Sequence, residues 1–529
     1  MGRTTCRPAA TDEEIPMPIR TRTARALLAL ALATAASAGL AQKRGGDIVM
    51  AQQAQPPSLD AMTTTAQATR NIGMHIFETL VTRDENGNVI NDLASKVDAS
   101  PDGRIYTFTL RQGVKFHNGK EMTSADVKAS LERYGRVGAS PTLKEVESIT
   151  APGKYQVVVT LKKATPSFID MLSSPRAPAV IIPAEEAGKD AGKIEIIGTG
   201  PFQFVEYKPD SHVRLKRFDG YVPNGNFQKP DGFSGRKTVY VDTATIRFVP
   251  EGGARVAGLQ SGEFHVLEQM PTDAAKRAGT SGPVRAYQAM PWAFQLLIFN
   301  AALAPTNNLK LRQAMQVGLD YEEIMAISTD GSYRMTHGWQ HPGTPYHAGD
   351  LGKDRYNVHN VERARALVKE SGYKGEELVI WTDSQFKNHR DVAVTAAEQL
   401  KKLGINATVK VTDWPSALAG TAKPEGWNAW PLMFGIEPYE GPYNTASFWW
   451  GEKARIQVND PAIDAAYLKL TRSPALADRQ KAFADFQKQM FDQAYVIKLG
   501  DVGIYQATRA NVRGYRPYRI PRMWDVWFE

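Results

Sequence analysis

Between Tyr106 and Gly135 the spacing of apolar residues switches from two to about four, which restricts this chain to an ordered mixture of strands and helices. In YTFTLRQGVKFHNG, Tyr106, Phe108 and Leu110 point to one side of a strand while Thr107, Thr109 and Arg111 point to the other. Gly113 breaks the run, Val114 and Phe116 resume the apolar face, and Asn118-Gly119 supplies the dipeptide that a tight turn prefers. Thr123 then stands three residues before Asp126, as in a capping box, and Val127, Leu131 and Tyr134 recur at helical spacing until Gly135 closes the run.

The same alphabet recurs along the chain. GGDIVMAQQ reads as a first strand, followed by PPSLD and a helical run around Ile72 to Leu80. Lys154 to Leu161 is a further strand, and IIGTGPFQFVEYKP interrupts the periodicity at Gly198, Gly200 and Pro201 before two more, HVRLKRF and TATIRFVP. From Asn308 to Ile327, Leu311, Ala314, Met315, Gly318 and Leu319 share one helical face. LVIWT (378–382), a helix from Asp391 to Leu403 closed by Gly404, and the alternating INATVKV form a strand, helix, strand unit. Such a unit implies parallel pairing, with a ligand crevice at the strand ends.

A chain of 529 residues exceeds what one core usually supports, so two or three lobes are expected. At the N-terminus, Arg20, Arg22 and Arg25 precede ALLALALATAASAGLA, which is too short and too Ala-rich for a membrane span and ends in small residues. Residues 1–41 read as a secretory signal peptide, with Met17 as the start that gives a normal n-region, and with cleavage after Ala41 or Ala38. The one cysteine, Cys6, lies upstream of that run, so the mature chain has no thiol for a disulfide, a metal or a lipid anchor. The expected location is the periplasm. Removing residues 1–41 leaves 59 basic and 53 acidic residues, a net charge of +6, with the basic ones scattered. A nucleic-acid binder concentrates them into a stripe, so no nucleic-acid partner is expected.

Catalytic signatures are missing: there is no G-x-S-x-G elbow, no H-E-x-x-H helix and no Walker A loop. The glycines of GTGPF read as a backbone crossover rather than a phosphate cradle. His337, His341 and His347 have a spacing that can converge on a metal, but their Pro- and Gly-rich surroundings make a loop, and neither metal nor cofactor is expected. What remains is aromatic and acidic. Trp414, Trp427, Trp430, Trp449 and Trp450 crowd a segment containing FGIEPYEGPYN, where Glu437 and Glu440 alternate with Tyr439 and Tyr443. Carboxylates among rings and rigid turns suit an ammonium group, by charge-assisted hydrogen bonds and stacking.

LASKVDASPDGRIYTFTLRQGVKFHNGKEMTSADVKASLERY resembles the signature region of the family 5 extracellular solute-binding proteins, the dipeptide-, oligopeptide- and nickel-binding components of ABC importers. PPSLD with NIGMHIFETLV, GTGPFQFVEY, LIFNAALAPTNNLKLRQAMQVGLDYEEIM, YNVHNVERARALVKESGY and AAEQLKKLGINATVKVTDW match in the same order, covering nearly the whole mature chain. The resemblance implies an α/β, two-lobed periplasmic binding protein fold with three domains, its lobes hinged around a central cleft. Residues 42–82, 198–302 and 496–529 would form lobe I, 83–197 a domain inserted into it, and 303–495 lobe II. It further implies a soluble, monomeric receptor that gives up its ligand to a membrane permease. Peptide-binding relatives set an aspartate on the peptide amine; here the corresponding segment, FGIEPYEGP, holds offset glutamates and no aspartate, so Glu437 or Glu440 would substitute and the ligand class widens to other amine-bearing solutes. Trp292 and Trp414 lie in blocks that approach the cleft in relatives and are expected as its walls.

The function expected is therefore capture of a peptide or other small amine-bearing organic solute, not catalysis. Within the family the alternative is a nickel-chelate receptor, which needs His337, His341 or His347 at the ligand. From another class it is a secreted hydrolase using Glu437 and Glu440 as acid and base.

Overall fold

The period of two at Tyr106 becomes the strand Ile105–Leu110, whose buried face is Tyr106, Phe108 and Leu110. It lies in a four-stranded antiparallel sheet ordered Ala94–Ala99, Ile105–Leu110, Gln156–Leu161, Val146–Gly153. These are coordinates of a computed structural model that describes residues 42–138, 141–384, 386–435, 441–443, 446, 448–451 and 454–529. The expected signal peptide, and with it cleavage at Ala38 or Ala41, lies outside the described residues, as do Glu437, Tyr439 and Glu440.

The capping box forms: Asp126 accepts from the backbone N–H of Thr123 at 2.9 Å and from its hydroxyl at 2.8 Å. The helix it starts, Ser124–Val137, runs past the expected stop at Gly135 and ends where the N–H of Gly138 returns to the carbonyl of Tyr134 at 2.9 Å. Two other boundaries also differ. The helix expected around Ile72 to Leu80 is Gln67–Ile76. The single helix expected from Asn308 to Ile327 is two, Leu309–Gly318 and Tyr321–Ser328, because the Asp320 side chain caps a new start by accepting from the N–H of Glu323 at 3.0 Å.

A large sheet of eleven strands dominates the unit Gly45–Glu529. Along its main path it is ordered Ala407–Thr412, Leu378–Asp383, Ala429–Gly435, Val284–Phe299, Val496–Arg509, Val266–Met270, Asp47–Gln52, Thr243–Phe248, His212–Arg217, Phe202–Lys208. The strand, helix, strand unit is present: Leu378–Asp383 pairs parallel with Ala407–Thr412 through the helix Lys387–Lys402, and Gly404 turns the chain at φ +86°.

Val284–Phe299 and Val496–Arg509 pair antiparallel from Val284 opposite Arg509 to Ile298 opposite Val496. Being long, they serve more than one core. Val284, Ala286 and Ala507 pack with Leu259, Phe264 and Leu267, whereas Leu297, Phe299, Ile497 and Leu499 pack with Leu311, Met315 and Ile380. A third apolar cluster joins the first strand to the four-stranded sheet and to Trp524 and Val526 near the C-terminus, and a fourth gathers Trp339, Trp427, Trp430 and Trp449.

The glycines of GTGPF are there for close approach. A Cβ on Gly198 would stand 2.1 Å from the carbonyl oxygen of Ile76, and one on Gly200 2.6 Å from that of His75. His117 fastens this crossing to the strand–turn unit: Nδ1 accepts from the N–H of Gly198 at 3.2 Å and Nε2 donates to the carbonyl of Gly200 at 3.0 Å. Among the described residues no helix is long and apolar enough to cross a membrane.

Candidate functional site

The strand Val266–Met270 has a single acid, Glu268, beside the buried Val266, Leu267 and Met270, and burial makes that acid conspicuous. Its Oε1 accepts from Asn71 Nδ2 at 2.6 Å and its Oε2 from the N–H of Gln53 at 3.0 Å. Burial pushes the Glu268 carboxyl up, against the pull of those two hydrogen bonds and of the charges on Arg255 and Arg70. Glu268 lines a cavity of about 440 Å³.

The rest of that cavity comes from distant parts of the chain. Gln53, Gln67, Arg70, Trp292 and Arg519 line it beside Glu268, and Arg176, Phe386 and Gly435 also line it. Trp292 is half-buried in the long strand, and the Arg519 guanidinium lies 4.6 Å from its ring centroid. Arg70 donates to Gln67 on its own helix. Arg176 donates to the carbonyl of Gly435 at 3.2 Å, joining the segment after the short helix Phe168–Leu172 to the end of a strand of the large sheet. The walls thus offer an aromatic face, a buried carboxylate and three guanidinium groups. They suit a solute bearing charges of both signs.

The residues expected from the sequence are distributed unevenly around this space. Trp292 lines it. Trp414 stands one ring behind: it meets the cavity residue Phe386 edge-on at 5.2 Å and stacks on Trp430 at 6.3 Å. Tyr443 is buried, sharing a 2.5 Å hydrogen bond with the Tyr346 hydroxyl and lying 3.4 Å from Asp170 Oδ2. It belongs beside a second, smaller cavity lined by Tyr346 and Asp170. Glu437, Tyr439 and Glu440 lie outside the described residues, but Gly435 and Gly441, which flank them in sequence, line the larger and the smaller cavity respectively.

His337, His341 and His347 do not line the larger cavity. His341 is buried with Nδ1 3.1 Å from Asp501 Oδ2, and His337 Nε2 is 2.9 Å from the carbonyl of Gly349. Among the described residues no group of three or more histidine, cysteine, aspartate or glutamate side chains is placed to hold a metal ion.

Sequence reasoning missed Glu268, Arg70, Arg176 and Arg519. For Glu268 a signal existed, a lone acid among Val266, Leu267 and Met270 in a strand; for the arginines nothing local separates them from surface arginines.

Comparison with known proteins places this geometry in a class. The family model described as bacterial extracellular solute-binding proteins, family 5 Middle, matches residues 88–455. The chain belongs to this family, as the sequence resemblance indicated, and its fold is the mixed α/β fold of periplasmic binding proteins. It is 26% identical over 425 residues to the oligopeptide-binding protein AppA of Bacillus subtilis, covering 75% of each chain. It is 24% identical over 502 residues to the glutathione-binding protein GsiB of Pectobacterium atrosepticum, covering 89% of this chain and 91% of that one. Among solved structures, the ABC transporter-associated periplasmic binding protein DppA of Helicobacter pylori, in complex with the peptide STSA, superposes with a TM-score of 0.72 at 22% identity, over 92% of this chain and 99% of that one.

Proposed function

We propose that the protein is the extracytoplasmic solute-binding component of an ABC import system, which captures a peptide or other small amine-bearing organic solute between two lobes and delivers it to a membrane permease. The observation that carries this reading is the cavity of about 440 Å³ in which Glu268 and Arg176 set opposite charges around the Trp292 ring. Its volume lies within the range typical of small-molecule sites. In this reading Glu268, with Glu437 or Glu440, takes the ammonium group, Arg176 takes an acidic group, and Trp292 forms a wall backed by Arg519. Tyr439 belongs with the two glutamates, and Trp414 supports Phe386 from behind.

The lobes follow residues 42–82, 198–302 and 496–529 for the first, 83–197 for its inserted domain, and 303–495 for the second. The long strands Val284–Phe299 and Val496–Arg509, which feed separate apolar clusters, suit the crossings of a hinge. A solute held by both sides favours the closed form by its differential affinity for it, and that closed form is what a permease reads. The protein works in the periplasm as a soluble monomer after loss of its signal peptide, and it transforms nothing. The names of the relatives, peptide- and glutathione-binding among them, support an amine-bearing ligand. A nickel-chelate reading is not favoured, because His337, His341 and His347 are away from the cavity.

Calorimetry with a panel of short peptides, paired with small-angle scattering, tests the reading. One or more peptides are expected to bind and to reduce the radius of gyration, with Glu268→Gln, Glu437→Gln or Glu440→Gln weakening a cationic ligand. Scattering that never changes, together with cleavage of a peptide or glycoside, would overturn it.

A further inference from the structure

Gln340 is 1% exposed, yet among the described residues neither its Nε2 nor its Oε1 has a hydrogen-bond partner. A buried carboxamide that pairs with nothing loses its hydration and gains nothing in exchange. Gln340 lines the smaller cavity, of about 150 Å³, which is room for about five waters or one small solute group. The cavity lies between two parts of the chain: Arg83 and Asp170 on one side, and Gln340, Tyr346, Leu476 and Arg479 on the other.

The charges around it are organised. Asp170 Oδ1 accepts from Arg83 Nη2 at 3.3 Å, and its Oδ2 lies 3.4 Å from the Tyr443 hydroxyl. Arg479 holds the Tyr346 hydroxyl through Nε at 3.2 Å and the carbonyls of Ser473 and Pro474 through Nη1 at 3.1 and 2.7 Å, a set that among the described residues leaves Nη2 out. A group entering here meets a guanidinium, a carboxylate, and a carboxamide that needs both an acceptor and a donor.

We propose that this second cavity binds a carboxylate with an N–H group one carbon away, the carboxylate taken by Arg479 and Gln340 Nε2 and the N–H by Gln340 Oε1. That chemistry has two sources: a free small amino acid, or the last residue of a longer ligand that begins in the larger cavity. The second source rests on the capture reading above; the first does not.

Calorimetry on the intact protein with L-alanine, trialanine and trialanine carboxamide decides it. Gln340→Leu removes both polar atoms at similar size, and Gln340→Glu sets a negative charge against the ligand. A carboxylate probe is expected to bind about tenfold more weakly to Gln340→Leu and more weakly still to Gln340→Glu. In the wild-type protein the carboxamide probe should bind at least about tenfold more weakly than trialanine, a comparison that needs no variant. The pattern with alanine identifies a free amino acid; the pattern with trialanine alone identifies the end of a longer ligand. Unchanged affinities in both variants, or no heat from any probe, overturn the proposal. Trialanine binding that Glu268→Gln abolishes and the Gln340 variants leave alone overturns this site while the capture reading stands.

Discussion

The Arg519 guanidinium sits 4.6 Å from the centroid of the Trp292 ring and donates through Nη2 to the carbonyl of Trp292 itself at 3.0 Å. Its Nη1 reaches the preceding carbonyl, of Pro291, at 2.6 Å. One cation therefore holds both the backbone and the ring that walls the cavity, and the two residues should fail differently. Trp292→Ala removes a half-exposed wall and is expected to weaken ligand binding about tenfold or more with a small change in melting temperature. Arg519→Met strands two carbonyls and is expected to cost about 1–3 kcal/mol of stability. Calorimetric titration and thermal melts of both variants separate the roles; equal affinity in Trp292→Ala would remove the ring from the site.

Glu268 carries a pH prediction. Burial raises its pKa above the ordinary glutamate value, so the carboxylate proposed to meet an ammonium group is lost at a higher pH than usual as the solution is acidified. Affinity for a cationic solute should fall as pH drops through that raised pKa, and the dependence should vanish in Glu268→Gln, which binds about tenfold or more weakly at neutral pH. In the empty protein the sign is opposite. The native state holds this proton more tightly than the unfolded chain, so stability contributed by protonated Glu268 declines as pH rises through the raised pKa. Titrations at several pH values check the first statement and melts of the empty protein the second; identical profiles for wild type and variant would remove both.

Asp60, the last residue of PPSLD, forms a buried two-point ion pair with Arg133 of the helix Ser124–Val137, at 3.1 and 2.6 Å, and also accepts from the N–H of Gly192 at 2.9 Å. Both side chains are essentially inaccessible, at 1% and 0% exposure. Truncating one partner leaves the other charge buried and unpaired, so Asp60→Ala is expected to cost about 3–5 kcal/mol, seen as a large fall in melting temperature. The double variant Asp60→Leu with Arg133→Met should recover part of that loss. A melt of Asp60→Ala within a degree of wild type would contradict the pairing.

What could be read from the sequence was whatever physics acts over a few residues. The alternation at Tyr106, Phe108 and Leu110, the Thr123–Asp126 cap and the turn at Gly404 are local, and the structure has all three. Asp320 shows where the same reasoning slips: the helical range Asn308 to Ile327 ran through it, but its side chain caps a new helix, and a periodicity count does not weigh that competition. The larger cavity was legible only in Trp292. Glu268, Arg176 and Arg519 come together from parts of the chain far apart in sequence, and an arginine's destination is not written in its neighbours. Gln340 was invisible for a further reason, since its distinction is the lack of a partner among the described residues.

His75 shows how acid should loosen this fold. Its Nδ1 lies 2.8 Å from the carbonyl of Asn71, and its Nε2 accepts from the N–H of Met523 at 3.0 Å, so the neutral ring with its proton on Nδ1 satisfies both ends. Burial lowers its pKa from 6.5 to about 3, with the Asn71 hydrogen bond opposing the shift. Because the unfolded chain takes up the proton first, the contribution of neutral His75 is fully present above pH 6.5 and is lost as pH falls from there toward 3, with a slope of up to about 1.4 kcal/mol per pH unit. Asp92 and Asp525, whose carboxyls burial raises to about 6, act in the opposite direction below that pH, so the raw curve reports a difference. His75→Gln keeps one donor and one acceptor and does not titrate, and subtracting its melting profile isolates the histidine. The wild-type protein is expected to lose melting temperature more steeply than His75→Gln between pH 6.5 and 4. Parallel profiles would mean that the ring is charged in the native state or that its burial does not persist in solution.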